Sequence, residues 1–209
     1  LARHRFKGKL IYFSSSAVYP IDIQTRAIHV KLHERMLDLS LTRMGMPDMT
    51  YGWAKLTGEY LARQAVEKYG MDVLIYRPFS GYGEDQALDY PFPSIIRRIA
   101  RGESPVKIWG SGDQVRDFIH IDDVVDAVLQ TKDVLQPGST LNLGTGVPTS
   151  FKQLVALAAP DVPVNTDESK PTGVFYRVAD PYNMLQVYTP KITLEEGVRR
   201  LLDFHRKAL

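Results

Sequence analysis

Two short apolar runs separated by a long crossover set the strongest limit on what this chain can fold into. Residues 9–13 (Lys-Leu-Ile-Tyr-Phe) and 71–76 (Met-Asp-Val-Leu-Ile-Tyr) are rich in β-formers and lack the strict alternation of a strand with one wet face. They read as strands buried on both faces, as a parallel sheet demands. Between them Trp53, Leu56, Tyr60, Leu61 and Val66 recur at helical spacing, and Gly70 follows as a helix cap. Strand, helical crossover, strand is the pattern of a doubly wound α/β sheet, whose ligands bind beyond the carboxyl ends of the strands. The serines at 14–16 and the loop from Arg77 to Gly83 both fall at such ends, so they are expected to face one pocket.

Past Gly83 the pattern changes. The spacing predicts a helix over 94–101 introduced by Tyr90-Pro91-Phe92-Pro93, a strand over 106–109, the turn Gly110-Ser111-Gly112-Asp113, and a helix over 122–134 with Asp at its start. A strand over 140–143 closes at Gly144-Thr145-Gly146, and a helix over 194–207 runs from an acidic start to a basic finish, matching its dipole. The stretch 26–41 also reads as helical. The expected fold is therefore α/β: residues 1–83 form the C-terminal part of a Rossmann-like doubly wound parallel sheet. Residues 84–209 form mainly a smaller mixed α/β substrate-binding domain, with about 115–145 returning to the main sheet.

The net charge over 209 residues is only +2, and acids are scattered among the bases, so no stripe is offered to nucleic acid or to a membrane surface. A small molecule is the expected partner. There is no cysteine, which excludes disulfides and thiolate chemistry. No apolar run approaches the ~18 residues a spanning helix needs, and the opening residues lack the apolar core of a signal peptide. A soluble, cytoplasmic protein is expected.

Tyr51 and Lys55 stand four apart at the head of the long helix, so their side chains share one face. A phenol of pKa about 10 is a poor base at neutral pH, and a nearby ammonium favours the phenolate. Lowering it by ~3 units takes about 4 kcal/mol of differential interaction, within reach of a desolvated cation and a hydroxyl donor. Ser15 is the natural hydroxyl. The three residues together suit the movement of a proton on or off an alcohol while a nicotinamide carries hydride. His120 has no second histidine or cysteine at metal-ligand spacing and reads as a core residue, and the Asp122-Asp123 pair reads as a cap and internal hydrogen-bonding element.

The order of these parts, with Leu10 to Tyr19, Tyr51-Gly52-Trp53-Ala54-Lys55, Arg77-Pro78-Phe79-Ser80-Gly81-Tyr82-Gly83 and Trp109 to Asp123, resembles the extended short-chain dehydrogenase/reductases, specifically the sugar-nucleotide epimerase/dehydratase branch. The resemblance implies Ser15, Tyr51 and Lys55 as the catalytic set. It implies Ser14, Tyr51, Lys55 and Arg77-Pro78-Phe79 beside a bound NAD, or NADP, and Ser16, Ser80, Arg116 and Arg177 beside the substrate. Ser80 stands where the family carries an asparagine, and a structural ion pair of Arg116 with Asp113 or Asp117 is the competing reading for that arginine. The resemblance further implies a nucleotide-sugar substrate and a homodimer formed through the helix that carries Tyr51.

The family opens with a strand, a Gly-x-x-Gly-x-x-Gly turn and a helix that receives the dinucleotide's pyrophosphate, and no such turn occurs in this sequence. On this reading on the order of a hundred residues belonging to one βαβαβ half are missing, and the 209 residues alone bind dinucleotide poorly and expose a sheet edge. Dehydratases and decarboxylases of the branch carry an acid just after the catalytic hydroxyl, where this chain has Ser16 and Ala17. That leaves an NAD-dependent epimerase first and an NADPH-dependent reductase or a dehydratase behind it. A non-catalytic dinucleotide sensor is the alternative from another class, and it would have no use for the three residues together.

Overall fold

The computed structural model describes residue 1 and residues 6–37 and 45–207. Strand β1 (Lys9–Phe13) pairs in parallel with β2 (Asp72–Pro78), so both strands end at the same edge. The intervening helix α1 (Met49–Tyr69) stops at Gly70, whose φ of 61° is left-handed and whose N–H closes on the carbonyls of Ala65 and Val66. Alternation along β2 then feeds two cores. Val73 and Ile75 pack with Ala62 of α1, while Leu74 and Tyr76 face the opposite way. That second face is covered by Val124, Ala127 and Val128 of α3 (Ile121–Thr131).

The remaining strands and helices are β3 (Ser80–Tyr82), α2 (Pro91–Ala100), β4 (Val106–Trp109), β5 (Val115–Arg116), β6 (Phe118–His120), β7 (Thr140–Leu143), β8 (Thr149–Ser150), α4 (Phe151–Ala158), β9 (Val164–Asp167), β10 (Tyr176–Arg177), α5 (Tyr182–Leu185) and α6 (Leu194–Lys207). β7 joins the far side of β2, giving a parallel sheet in the order β1-β2-β7. Within residues 115–145 only β7 enters that sheet. β6 pairs with β3, and β5 lies between β10 and β8. A separate core of Phe92, Ile95, Ile96, Val106, Leu154 and Leu201 joins α2, α4 and α6 to β4, which pairs with β9.

Three expectations are corrected. α2 begins at Pro91 rather than Ser94, because proline lacks only an N–H that the first helical turn leaves unpaired anyway. α3 is capped by His120, whose Nδ1 accepts the Asp122 N–H at 3.2 Å, and not by an aspartate. The buried Asp123 instead accepts from the Tyr188 hydroxyl and the backbone N–H groups of Lys191 and Ile192. Residues 26–37 form no α-helix, only one short turn at Glu34–Met36 and a single β-bridge at Leu32, and residues 38–41 lie outside the described residues. The reason is tertiary. Leu32 exchanges backbone bonds with Val178 and Asp180, and just before the stretch the Gln24 carbonyl accepts from Phe175 and Tyr176, so the chain is tied at these two points to the C-terminal segment and Leu32 is withheld from a helical ladder.

Candidate active site

The site is built where β1 and β2 end. Ser15 caps a short turn at Ser16–Val18, its Oγ accepting the Ala17 N–H at 3.1 Å. The head of α1 is pinned to this turn: the Asp48 N–H reaches the Ala17 carbonyl at 2.8 Å, and a Cβ on Gly52 would lie 2.4 Å from that same oxygen. Only glycine allows so close an approach. It places Tyr51 and Ser15 on the wall of one cavity of about 450 Å³.

Lys55, one helical turn further on, donates from Nζ to the Phe13 carbonyl at 2.8 Å and lies 5.6 Å from the centre of the Tyr51 ring. It stands behind Tyr51 rather than on the cavity wall. Ser14 is buried and turned away from the cavity, donating to Glu59 Oε1 at 2.5 Å. Glu59 in turn receives a two-pronged contact from Arg77, at 2.8 Å from Nε and 2.6 Å from Nη2, with both side chains fully buried. Arg77 Nη1 also donates to the Tyr19 hydroxyl, which donates to Asn142. The Arg77 guanidinium is thus committed to locking α1, β1 and β2 together, and what it presents to the adjoining loop is backbone. Pro78 ends β2 half-buried, while Phe79, Ser80 and Gly81 line the cavity.

Two arginines stand at the far wall. Arg177 is clamped, with Nε on Gln24 Oε1 at 2.6 Å and Nη2 on Asp48 Oδ2 at 2.7 Å. Arg116 has no carboxylate partner among the described residues; its donors reach the carbonyls of Val115 and Thr172. The acids offered as its structural partners are engaged elsewhere: Asp113 pairs with Lys152, and Asp117 accepts from Thr145, Gly146 and Ala179. Burial, and next the neighbouring Arg177, lower Arg116 to about 10. An unpaired guanidinium beside a second one is an electrostatic vacancy for an anion.

Arg116, Pro91 and Phe151 also line a second cavity of about 370 Å³, which runs on past Ile108, Trp109 and Gln114. The structure therefore joins Ser15, Ser16, Tyr51, Ser80, Arg116 and Arg177 around one space and sets Ser14, Lys55 and Arg77 behind it. Asp48, Gln86 and Phe151 were not anticipated. Asp48 carried a signal, as an acid just before a helix start; Phe151 carried none, because it arrives from a distant helix. No group of three or more metal-binding side chains occurs among the described residues, and no described helix is long and apolar enough to cross a membrane.

The residues that would meet a nicotinamide fit it. Tyr51 and the Lys55 ammonium lie together at the strand ends, and the apolar Phe79 lines the same cavity as Tyr51.

Residues 1–144 match the model of the NAD dependent epimerase/dehydratase family. A putative GDP-L-fucose synthase 2 of Oryza sativa subsp. japonica is 27% identical over 94% of this chain and 58% of its own length. A dTDP-4-dehydro-6-deoxy-D-allose reductase of Streptomyces bikiniensis is 30% identical over 86% of this chain and 55% of its own. Among solved structures, the UDP-glucuronic acid 4-epimerase from Bacillus cereus, in complex with UDP-glucuronic acid and NAD, superposes with a TM-score of 0.78 at 25% identity, covering 96% of this chain and 62% of that one. The chain thus spans less than two thirds of the length of these relatives.

Proposed function

Because the chain belongs to the NAD dependent epimerase/dehydratase family, we propose that it works as an NAD-dependent epimerase of a nucleotide-activated sugar. The observation that carries this reading is the two-chambered cavity, with Ser15 and Tyr51 on one side and Arg116 shared with the second chamber. In this reading the sugar lies against Tyr51, the diphosphate at Arg116 and Arg177, and the nucleoside in the second chamber beside Trp109. Phe79, Phe92, Phe118 and Phe151 line the first chamber and lower its polarity, which strengthens each charge interaction inside it.

When bound, the nicotinamide supplies a place for hydride to go and to return from. The chain's own residues handle the proton. Tyr51 removes it from the reacting hydroxyl and gives it back. Lys55, anchored on the Phe13 carbonyl, keeps positive charge beside the phenol and has further N–H donors for the ribose. Ser15 holds the hydroxyl while the proton moves. Ser16 and Ala17, neither an acid, follow the serine, which supports epimerisation over elimination. Residues 1–83 serve the cofactor end in this division of labour and residues 84–209 the substrate. We further assign a homodimer through α1, where Trp53, Tyr60 and Leu61 form one exposed apolar stripe.

The test is made on the full-length protein with UDP-, GDP-, CDP- and dTDP-sugars, following cofactor reduction by absorbance and sugar configuration by NMR. Inverted sugar without net NADH, reduced by about 10²- to 10⁴-fold in Tyr51→Phe, is the expected result. Stoichiometric NADPH consumption would replace the epimerase by a reductase, a reading that the name of the Streptomyces bikiniensis relative favours.

A further inference from the structure

The cationic wall of the cavity holds one carboxylate that the chemistry above does not use. Asp48 Oδ2 lies 2.7 Å from Arg177 Nη2, both side chains mostly buried, while Arg116 close by has no carboxylate partner among the described residues. Arg116 and Arg177 are near enough to repel each other, and Asp48 offsets that repulsion. An anion entering between the arginines meets a negative charge already seated on one of them.

Asp48 also occupies the N-cap position of α1, yet its carboxylate caps no helix amide. The next residue, Met49, is held at φ 53°, a left-handed conformation costly for a residue with a side chain. The turn that carries Tyr51 is therefore uncapped and strained while the Asp48–Arg177 pair is closed. An N-cap carboxylate ordinarily accepts from the second or third helical amide, here Thr50 or Tyr51.

We propose that Asp48 is a resident counter-ion of Arg177, exchanged for the diphosphate of an incoming nucleotide, its carboxylate then turning to cap α1 at the amide of Thr50 or Tyr51. The inference rests on the reading that this cavity takes a nucleoside diphosphate. It makes Asp48 a positioning residue that trades ligand affinity for order in the catalytic turn. A pair that merely orients Arg177 would behave in the opposite way, because removing its charge would weaken anion binding.

Calorimetric titration of UDP, GDP and inorganic pyrophosphate into the full chain distinguishes the two. Asp48→Asn, and Asp48→Ser as a neutral residue that still caps, should each bind the probes about tenfold more tightly than wild type, within the usual range of such coupling. The gain should vanish when Arg177→Ala is added. Equal or weaker binding in variants that retain a cooperative melt overturns the exchange, as does a gain that survives Arg177→Ala. In wild type, saturating UDP should slow hydrogen exchange at the amides of the first turn of α1, and unchanged exchange overturns the cap transfer without recourse to any variant. Failure of every probe to bind either wild type or variants defeats the nucleoside-diphosphate reading along with the exchange, whereas binding without a gain defeats the exchange alone.

Discussion

Gly52 is the residue on which the geometry of the turn carrying Tyr51 depends. The atom its Cβ would strike, 2.4 Å away, is the backbone oxygen of Ala17, which cannot swing aside, so Gly52→Ala must move the helix head. We expect turnover to fall by about ten- to hundredfold with the fold retained, measured by activity beside a thermal melt. Three positions earlier in the chain Met49 presents the reverse case. Its side chain is 76% exposed and its φ is left-handed, so it loses little by truncation and gains backbone freedom. Met49→Gly should raise stability by about 1 kcal/mol in urea unfolding. The tyrosine, the lysine and the serines were legible at this scale because hydroxyl and ammonium chemistry is written in residue type and spacing. The pairing of Asp48 and Gln24 with Arg177 was not, since that arginine comes from more than a hundred residues away.

At the scale of elements, a buried ion pair joins α1 to β2, and Ser14 at the end of β1 bonds the same Glu59. Arg77→Met leaves the Glu59 carboxylate buried without its partner and should cost about 3–5 kcal/mol in urea unfolding. Arg77→Met with Glu59→Leu should recover part of that loss, because desolvating two charges is itself expensive. α6 supplies a pH dependence. Burial first, and then Arg97 and Arg101, hold His205 below its ordinary 6.5. The unfolded chain then binds a proton that the folded chain refuses, so stability declines as pH falls below 6.5 and levels off beneath the lowered folded value. Thermal melts across that window should show the slope in wild type and lose it in His205→Gln. Element positions followed the apolar runs closely for β1, α1, β4 and α6, but burial did not follow in two of them. Trp53, Tyr60 and Leu61 of α1 are exposed, and β1, expected to be buried on both faces, is only half-buried and leaves Phe13 exposed. Residues 26–37 departed from the helical reading where the backbone of Leu32 bonds Val178 and Asp180 across the fold.

At the scale of the whole molecule, the cavity lies between two bodies: the β1-β2-β7 sheet with α1 and α3, and the core of α2, α4 and α6 with β4. No single segment contains it. Ser15 and Tyr51 come from one body and Phe92 and Phe151 from the other, with Arg116 and Arg177 supplied by the short β5–β10 pair between them. The sequence by itself determined the strand–helix–strand unit, the strand ends that border the cavity, and the presence there of residue types able to move a proton. Each of these depends on local periodicity or on chemistry intrinsic to a side chain. Only the tertiary structure decided that Arg77 is locked away on Glu59, that Arg116 has no carboxylate partner among the described residues, and that Asp48 sits on Arg177. Pairing among charges depends on distances across the fold, and a sequence specifies those only through the packing that brings remote segments together.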